Sequence, residues 1–210
     1  MMKEVYQTSL RKFTSDEQQI SSMWKEIERC YCKKGRYYHT LTHLNNLTHE
    51  LQPLKDQFSH WDTVVMAIAY HDIIYNPLKS NNEEKSADLA VKRLESISYP
   101  TDLATLCKQM ILATKSHEAG HPEINLFTDA DLSILGSEPE VYKNYTAQIR
   151  KEYKIYPDML YYPGRKKVLR HFLEMERIYQ SEHFYNQYET KARLNLNREL
   201  KEIENKQSRI

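Results

Sequence analysis

The chain has 210 residues but only 4 Gly and 7 Pro, so it is poor in the residues that tight turns and sheet corners need. That scarcity disfavours turn-rich β architectures, and the plentiful Leu, Glu, Lys, Tyr and Arg favour helices. Cysteine is also scarce: Cys30, Cys32 and Cys107 make an odd count, which argues against a disulfide framework. A C-x-C pair without a second pair is a weak metal signal, and the three read as ordinary reduced thiols. Neither sign of charge dominates, because 30 basic residues face 29 acidic ones for a formal net charge of +1. No global field draws in nucleic acid or an anionic membrane, so no extended nucleic-acid surface is expected. The longest apolar run, Val64 to Tyr70, is far too short to span a bilayer, and the N-terminus is polar and charged rather than a signal-peptide core. A cytoplasmic protein without a membrane span is therefore expected. Solenoid repeats, a GxxxxGK[ST] loop and a GxSxG elbow are missing too, which removes the commonest triphosphatase and serine-hydrolase readings.

What is present is helical periodicity. Ile20, Met23, Trp24, Ile27 and Tyr31 form a three- and four-residue stripe that predicts a helix over 15–31. A second helix is predicted to start near His39 and Thr40, carrying Leu41, Leu44, Leu47 and Leu51 on one side before Pro53. Trp61 through Ile74 is apolar on nearly all sides and predicts a central helix that closes before Asn76 and Pro77. Further helices are expected at about 82–97, 101–116, 138–153, 165–180 and 183–206. The fold class is all-α, as one helical domain over 1–210 with a core at about 20–180 and a charged C-terminal helix at about 183–206.

The most informative unit is Tyr70-His71-Asp72, which puts an imidazole and a carboxylate at the end of a run that reads as buried. Burial of either group costs free energy unless it is paired, and one divalent cation satisfies both. The alternative is a core His beside an Asp bonded to a helix terminus. Upstream, His39 and His43 lie four apart, so on a helix they share a face: both could bind one metal, or one could face the substrate. Downstream, Asp129 and Asp131 differ by about 200° around a helix, so one must be chosen. Asp131 is preferred because it directly precedes the apolar Leu132, Ile134 and Leu135. Thr128 and Asp131 also fit a capping box, which would explain that carboxylate without metal.

Taken together, H…HD…D in this order resembles the HD superfamily. The fuller set is Arg36-Tyr37-Tyr38-His39 through His43-Leu44, His71-Asp72 with Tyr75, Asn82-Glu83 with Ser86-Ala87, Ala113-Thr114 with His117, and Asp129-Ala130-Asp131-Leu132 with Ile134-Leu135-Gly136. It resembles the family of predicted HD-type metal-dependent phosphohydrolases of unassigned substrate, over roughly residues 20–200. The resemblance implies an HD-type helical bundle with His43, His71, Asp72 and Asp131 as the metal ligands. The Tyr-His-x-x-x-His element is also similar to that of cyclic-nucleotide phosphodiesterases, which implies His39 as the general acid toward the leaving oxygen. The chain lacks the extended His-Asp motif of those enzymes, so their cyclic-nucleotide specificity is not carried over.

Several weaker candidates complete the set. His117 is a candidate second-metal or phosphate ligand, since binuclear members of the superfamily add His between the HD dipeptide and the final Asp. His121, four residues on, is weaker because Gly120 and Pro122 mark a helix end or loop. Glu83 could orient a metal-bound water or a ligating His, or belong to a capped helix start. Arg165 and Arg193 are candidate phosphate-binding residues, because a guanidinium can hold phosphate through two bonds. The expected activity is hydrolysis of a small phosphate ester, a nucleotide foremost, by a metal-activated water. The cofactor is one divalent ion, or two, drawn from Mn, Fe, Co, Ni, Zn or Mg. Two rival readings are an oxygen-activating di-iron HD site and a non-catalytic nucleotide- or metal-binding regulatory module.

Overall fold

A computed structural model describes residues 1–207, and among these there are ten α-helices and no strand. The chain is all-α. No helix among the described residues is long and apolar enough to cross a membrane. Backbone contacts divide the chain into two compact units, Met1–Thr128 and Asp129–Ile210.

The first unit contains α1 (Met2–Leu10), α2 (Glu17–Tyr31), α3 (Leu41–Leu51), α4 (Trp61–Tyr70), α5 (Asn82–Glu95) and α6 (Thr101–Ala113), and most of α7 (Pro122–Asp131). Its centre is α4, which packs against α1, α3, α5 and α6. Every residue from Thr63 to Tyr70 is buried, which is why this stretch shows no polar face in the sequence. The stripe predicted over 15–31 is α2: Asp16 caps it by accepting the amides of Gln18 and Gln19, and Ile20, Met23, Trp24, Ile27 and Tyr31 are buried.

Helix α4 ends at Tyr70, short of the predicted Ile74, and His71 stands at its C-cap. Side chains from elsewhere take the backbone groups that would have continued it. Arg36 donates to the carbonyls of Asp72 and Ile73, while the Ser86 hydroxyl donates to the Ile74 carbonyl and accepts its amide. Asn82 accepts the Asn76 amide and donates to the Asn76 carbonyl, so the first turns of α5 pin the chain that follows His71. Helices α1 and α7 were not expected from the sequence, whereas α5 and α6 end within three residues of expectation.

The second unit contains a 3-10 turn at Leu132–Gly136, then α8 (Pro139–Glu152), α9 (Asp158–Glu174) and α10 (Glu182–Gln207). Helix α9 lies earlier than the predicted 165–180 and ends at Glu174. Beyond that end, Arg193 binds the carbonyls of Leu173, Met175 and Glu176, and Glu189 accepts the amides of Ile178 and Tyr179. The chain there is ordered by side chains instead of helix bonds.

Candidate metal centre

His71 is placed by the end of α4 and is 1% exposed. Its Nδ1 lies 3.0 Å from the carbonyl oxygen of Ile68. A carbonyl can only accept, so Nδ1 carries the proton and the neutral ring presents a bare Nε2. This is the tautomer a metal ligand needs, held by the backbone of its own helix.

His43 sits in the first turn of α3 and is 4% exposed, its Nε2 lying 3.0 Å from the Nε2 of His71. At that separation one cation could be shared by both nitrogens. Asp72 follows His71 directly, and its Oδ2 is 3.2 Å from His71 Nε2 and 3.9 Å from His43 Nε2. The edge of the His71 ring meets Phe127 in α7, with ring centroids 6.2 Å apart. Asp131 is four residues beyond Phe127 in the same unbroken helix and so lies on the same face one turn on. One ligand atom from each of His43, His71 and Asp131 lies within 4.8 Å of the others. This His-His-Asp group is a possible metal-binding cluster.

His39 is not on α3. The helix starts at Leu41 with Thr40 in extended conformation at its N-cap, so His39 and His43 do not share a helical face as predicted. They meet nonetheless, with ring centroids 5.8 Å apart. His39 is half-buried, its Nε2 lies 3.8 Å from Asp72 Oδ2, and its ring packs at a tilt against Tyr75 with centroids 4.3 Å apart. Tyr38 meets the rings of both His39 and His43.

The aspartates at the end of α7 divide their work. Asp129, 1% exposed, accepts the amides of Gln180 and Ser181 and the Ser181 hydroxyl, fixing the chain that enters α10. The capping box at Thr128 and Asp131 is absent: Thr128 lies inside α7, and its hydroxyl donates to the carbonyls of Ile124 and Asn125. A threonine bonded back to the preceding turn cannot start a helix.

The remaining candidates have other positions. Glu83 is half-buried in the first turn of α5. Its neighbour Glu84 pairs with Lys115, which also donates to the Ser80 carbonyl. His117 is half-buried in the loop between α6 and α7 with a left-handed backbone, φ 53°, and its amide donates to the Ala113 carbonyl. His117 is not one of the three residues whose ligand atoms converge; His121 is exposed at the start of α7.

Both arginines proposed for phosphate are engaged within the second unit. Arg165 is 9% exposed, donates through Nε and Nη2 to the two carboxylate oxygens of Glu199, and faces the Tyr145 ring. Tyr142 donates to the same Glu199, and burial with that carboxylate nearby pushes its hydroxyl pKa up. Arg193 donates through Nε to Glu189, and its Nη1 and Nη2 hold the carbonyls beyond α9. Both guanidiniums are thus bonded within the fold of the second unit.

Arg36 is the residue beside the cluster that periodicity could not find, since it lies in a loop and binds carbonyls 36 and 37 positions away. Its place in the Arg-Tyr-Tyr-His string is the one signal that pointed to it. The chain matches no protein-family model, no curated protein and no solved structure.

Proposed function

We propose that this protein is a metal-dependent phosphohydrolase of HD type that acts on a small phosphate ester, with nucleotides the leading class. One observation carries the reading: His43, His71 and Asp131 converge beside Asp72, and the half-buried His39 borders them. His43, His71, Asp72 and Asp131 would hold the cation. A divalent cation there supplies Lewis acidity toward a phosphoryl oxygen and makes water a nucleophile near neutral pH.

The chain's own residues supply orientation and a proton. His71 keeps Nε2 free of hydrogen because Ile68 holds the proton on Nδ1. His39 is suited to donate from its Nε2 to the leaving oxygen as the P–O bond breaks, because its ring is braced by Tyr75 and faces the carboxylate of Asp72.

The test is a screen of nucleotides and other phosphate esters with Mn, Co, Ni and Mg supplied separately, using wild type, His71→Ala and His39→Ala. Hydrolysis is expected with at least one cation and lost in His71→Ala. His39→Ala should keep the metal and lose about 10²- to 10⁴-fold in turnover, least on nitrophenyl phosphate. A wild-type protein that hydrolyses nothing with any of these ions, or a fully active His71→Ala, ends the reading.

A further inference from the structure

Arg36 lies in the loop between α2 and α3, and its guanidinium reaches two segments that carry site residues. Nη1 donates to the carbonyl of His39 at 3.2 Å and to that of Asp72 at 2.8 Å, and Nη2 donates to Ile73 at 2.9 Å. The cation sits over two rings, 4.8 Å from the centroid of Tyr31 and 5.3 Å from that of Tyr75. Each ring also makes a second contact with the site. The Tyr31 hydroxyl accepts the Asp72 amide at 3.2 Å, and the Tyr75 ring packs at a tilt against the His39 imidazole.

These contacts tie the backbone of residue 39 to the backbone of residues 72 and 73, two segments outside any helix. Charge-assisted bonds from a flat guanidinium hold both direction and distance, and an ammonium cannot present the same fork. The metal-ligand candidates have supports besides Arg36: His43 stands in α3, His71 is bonded to Ile68, and Asp72, whose carbonyl Arg36 holds, is also bonded through its amide to Tyr31. His39 has no helix under it, so its placement depends on this loop.

We propose that Arg36 is a positioning residue for His39: it sets the imidazole against Asp72 and so governs proton delivery to the leaving group. The proposal rests on the reading of His39 as the proton donor. Acid catalysis requires heavy atoms about 2.6 to 3.2 Å apart, and a displacement of about 1 Å can cost roughly 10² in rate.

The experiment compares Arg36→Ala and Arg36→Lys in wild-type and His39→Ala backgrounds. It reads Mn affinity, turnover of nitrophenyl phosphate against an alkyl phosphate, and the ring-to-ring nuclear Overhauser effect between His39 and Tyr75 in the metal-free protein. Arg36→Ala should lose about 10²-fold on the alkyl ester and far less on the nitrophenyl ester, with Mn affinity changed by no more than a few-fold. Added to His39→Ala it should cost nothing further; in the protein that keeps His39, Arg36→Ala should abolish the His39–Tyr75 signal. Arg36→Lys should not restore turnover or signal, and it serves as the test variant if the alanine protein does not fold. Equal losses on both esters, additive losses with His39→Ala, or an unchanged His39–Tyr75 signal would each overturn the proposal. If wild type hydrolyses neither ester, the hydrolase reading fails separately, and the ring signal still decides whether Arg36 positions His39.

Discussion

His43 and His71 present their Nε2 atoms to each other across 3.0 Å, although 28 residues separate them in the chain. Because His71 keeps its proton on Nδ1, a metal-free neutral pair needs His43 to donate into His71; with a cation bound, both nitrogens become donors of electron pairs. Replacing either histidine with Ala should weaken divalent-metal binding by more than about 100-fold, beyond the 10- to 100-fold typical of an outer partner. Metal titration of the purified variants measures this, and wild-type affinity in both would remove the pair from the site.

Asp131 and Asp129 should respond in opposite ways to loss of charge. Asp131→Asn is expected to weaken metal binding with little change in melting temperature. Asp129→Asn should leave metal binding near normal and destabilise the protein by about 1 to 3 kcal/mol, because its buried carboxylate serves three donors and an amide offers one accepting oxygen. A metal titration beside a thermal melt separates the two.

Gly136 has a packing reason to be glycine. A methyl group there would lie 2.6 Å from the Cβ of Tyr188 and 2.8 Å from its carbonyl oxygen, and neither is the movable end of a side chain. Gly136→Ala should cost about 1 to 3 kcal/mol in urea unfolding, in line with other overpacked sites. A loss below a few tenths of a kcal/mol would show that the 3-10 turn yields without strain.

Alkaline pH should unfold the first unit through its buried tyrosines. Tyr6 and Tyr70 pair their hydroxyls at 3.1 Å, and burial pushes both pKa values up; burial also pushes Tyr99, bonded to Thr63, up to about 12. In the unfolded chain these groups ionise near 10.0, so above that pH the folded state holds more protons than the unfolded one. The stabilisation is full below about pH 10 and is lost as pH rises from there through the folded values. Unfolding free energy measured from pH 8 to 12 should fall steeply past 10, and Tyr99→Phe should flatten the fall.

Helices with one apolar stripe were legible, because the stripe is the face they bury: Ile20 to Tyr31 reads as α2 and is α2. Helix ends were legible only where a local residue sets them. Tyr70 ends α4 because Arg36 and Ser86, distant in sequence, take the next backbone groups, and Glu174 ends α9 where Arg193 and Glu189 do the same. Periodicity carries no trace of such bonds. At the site, His71 and Asp72 stood out because ionisable groups followed an apolar run. The approach of His43 to His71 is set by packing of α3 on α4, and the role of Asp129 follows only from its partners at 180 and 181.

The burial of α4 on every side also bears on how the two histidine candidates are held. A helix without a wet face cannot fray outward, so its amides exchange with solvent only through large openings of the unit around it. His71 rides on the end of that slow-exchanging rod, and His43 is anchored in a helix packed beside it. The nitrogens of His43 and His71 are thus held in place by packing alone, unlike the ligands of small metallo-domains that order only on loading. Ion capture and folding would then be separate events, so a chelator is expected to strip a loaded centre and leave behind a folded chain that can be reloaded.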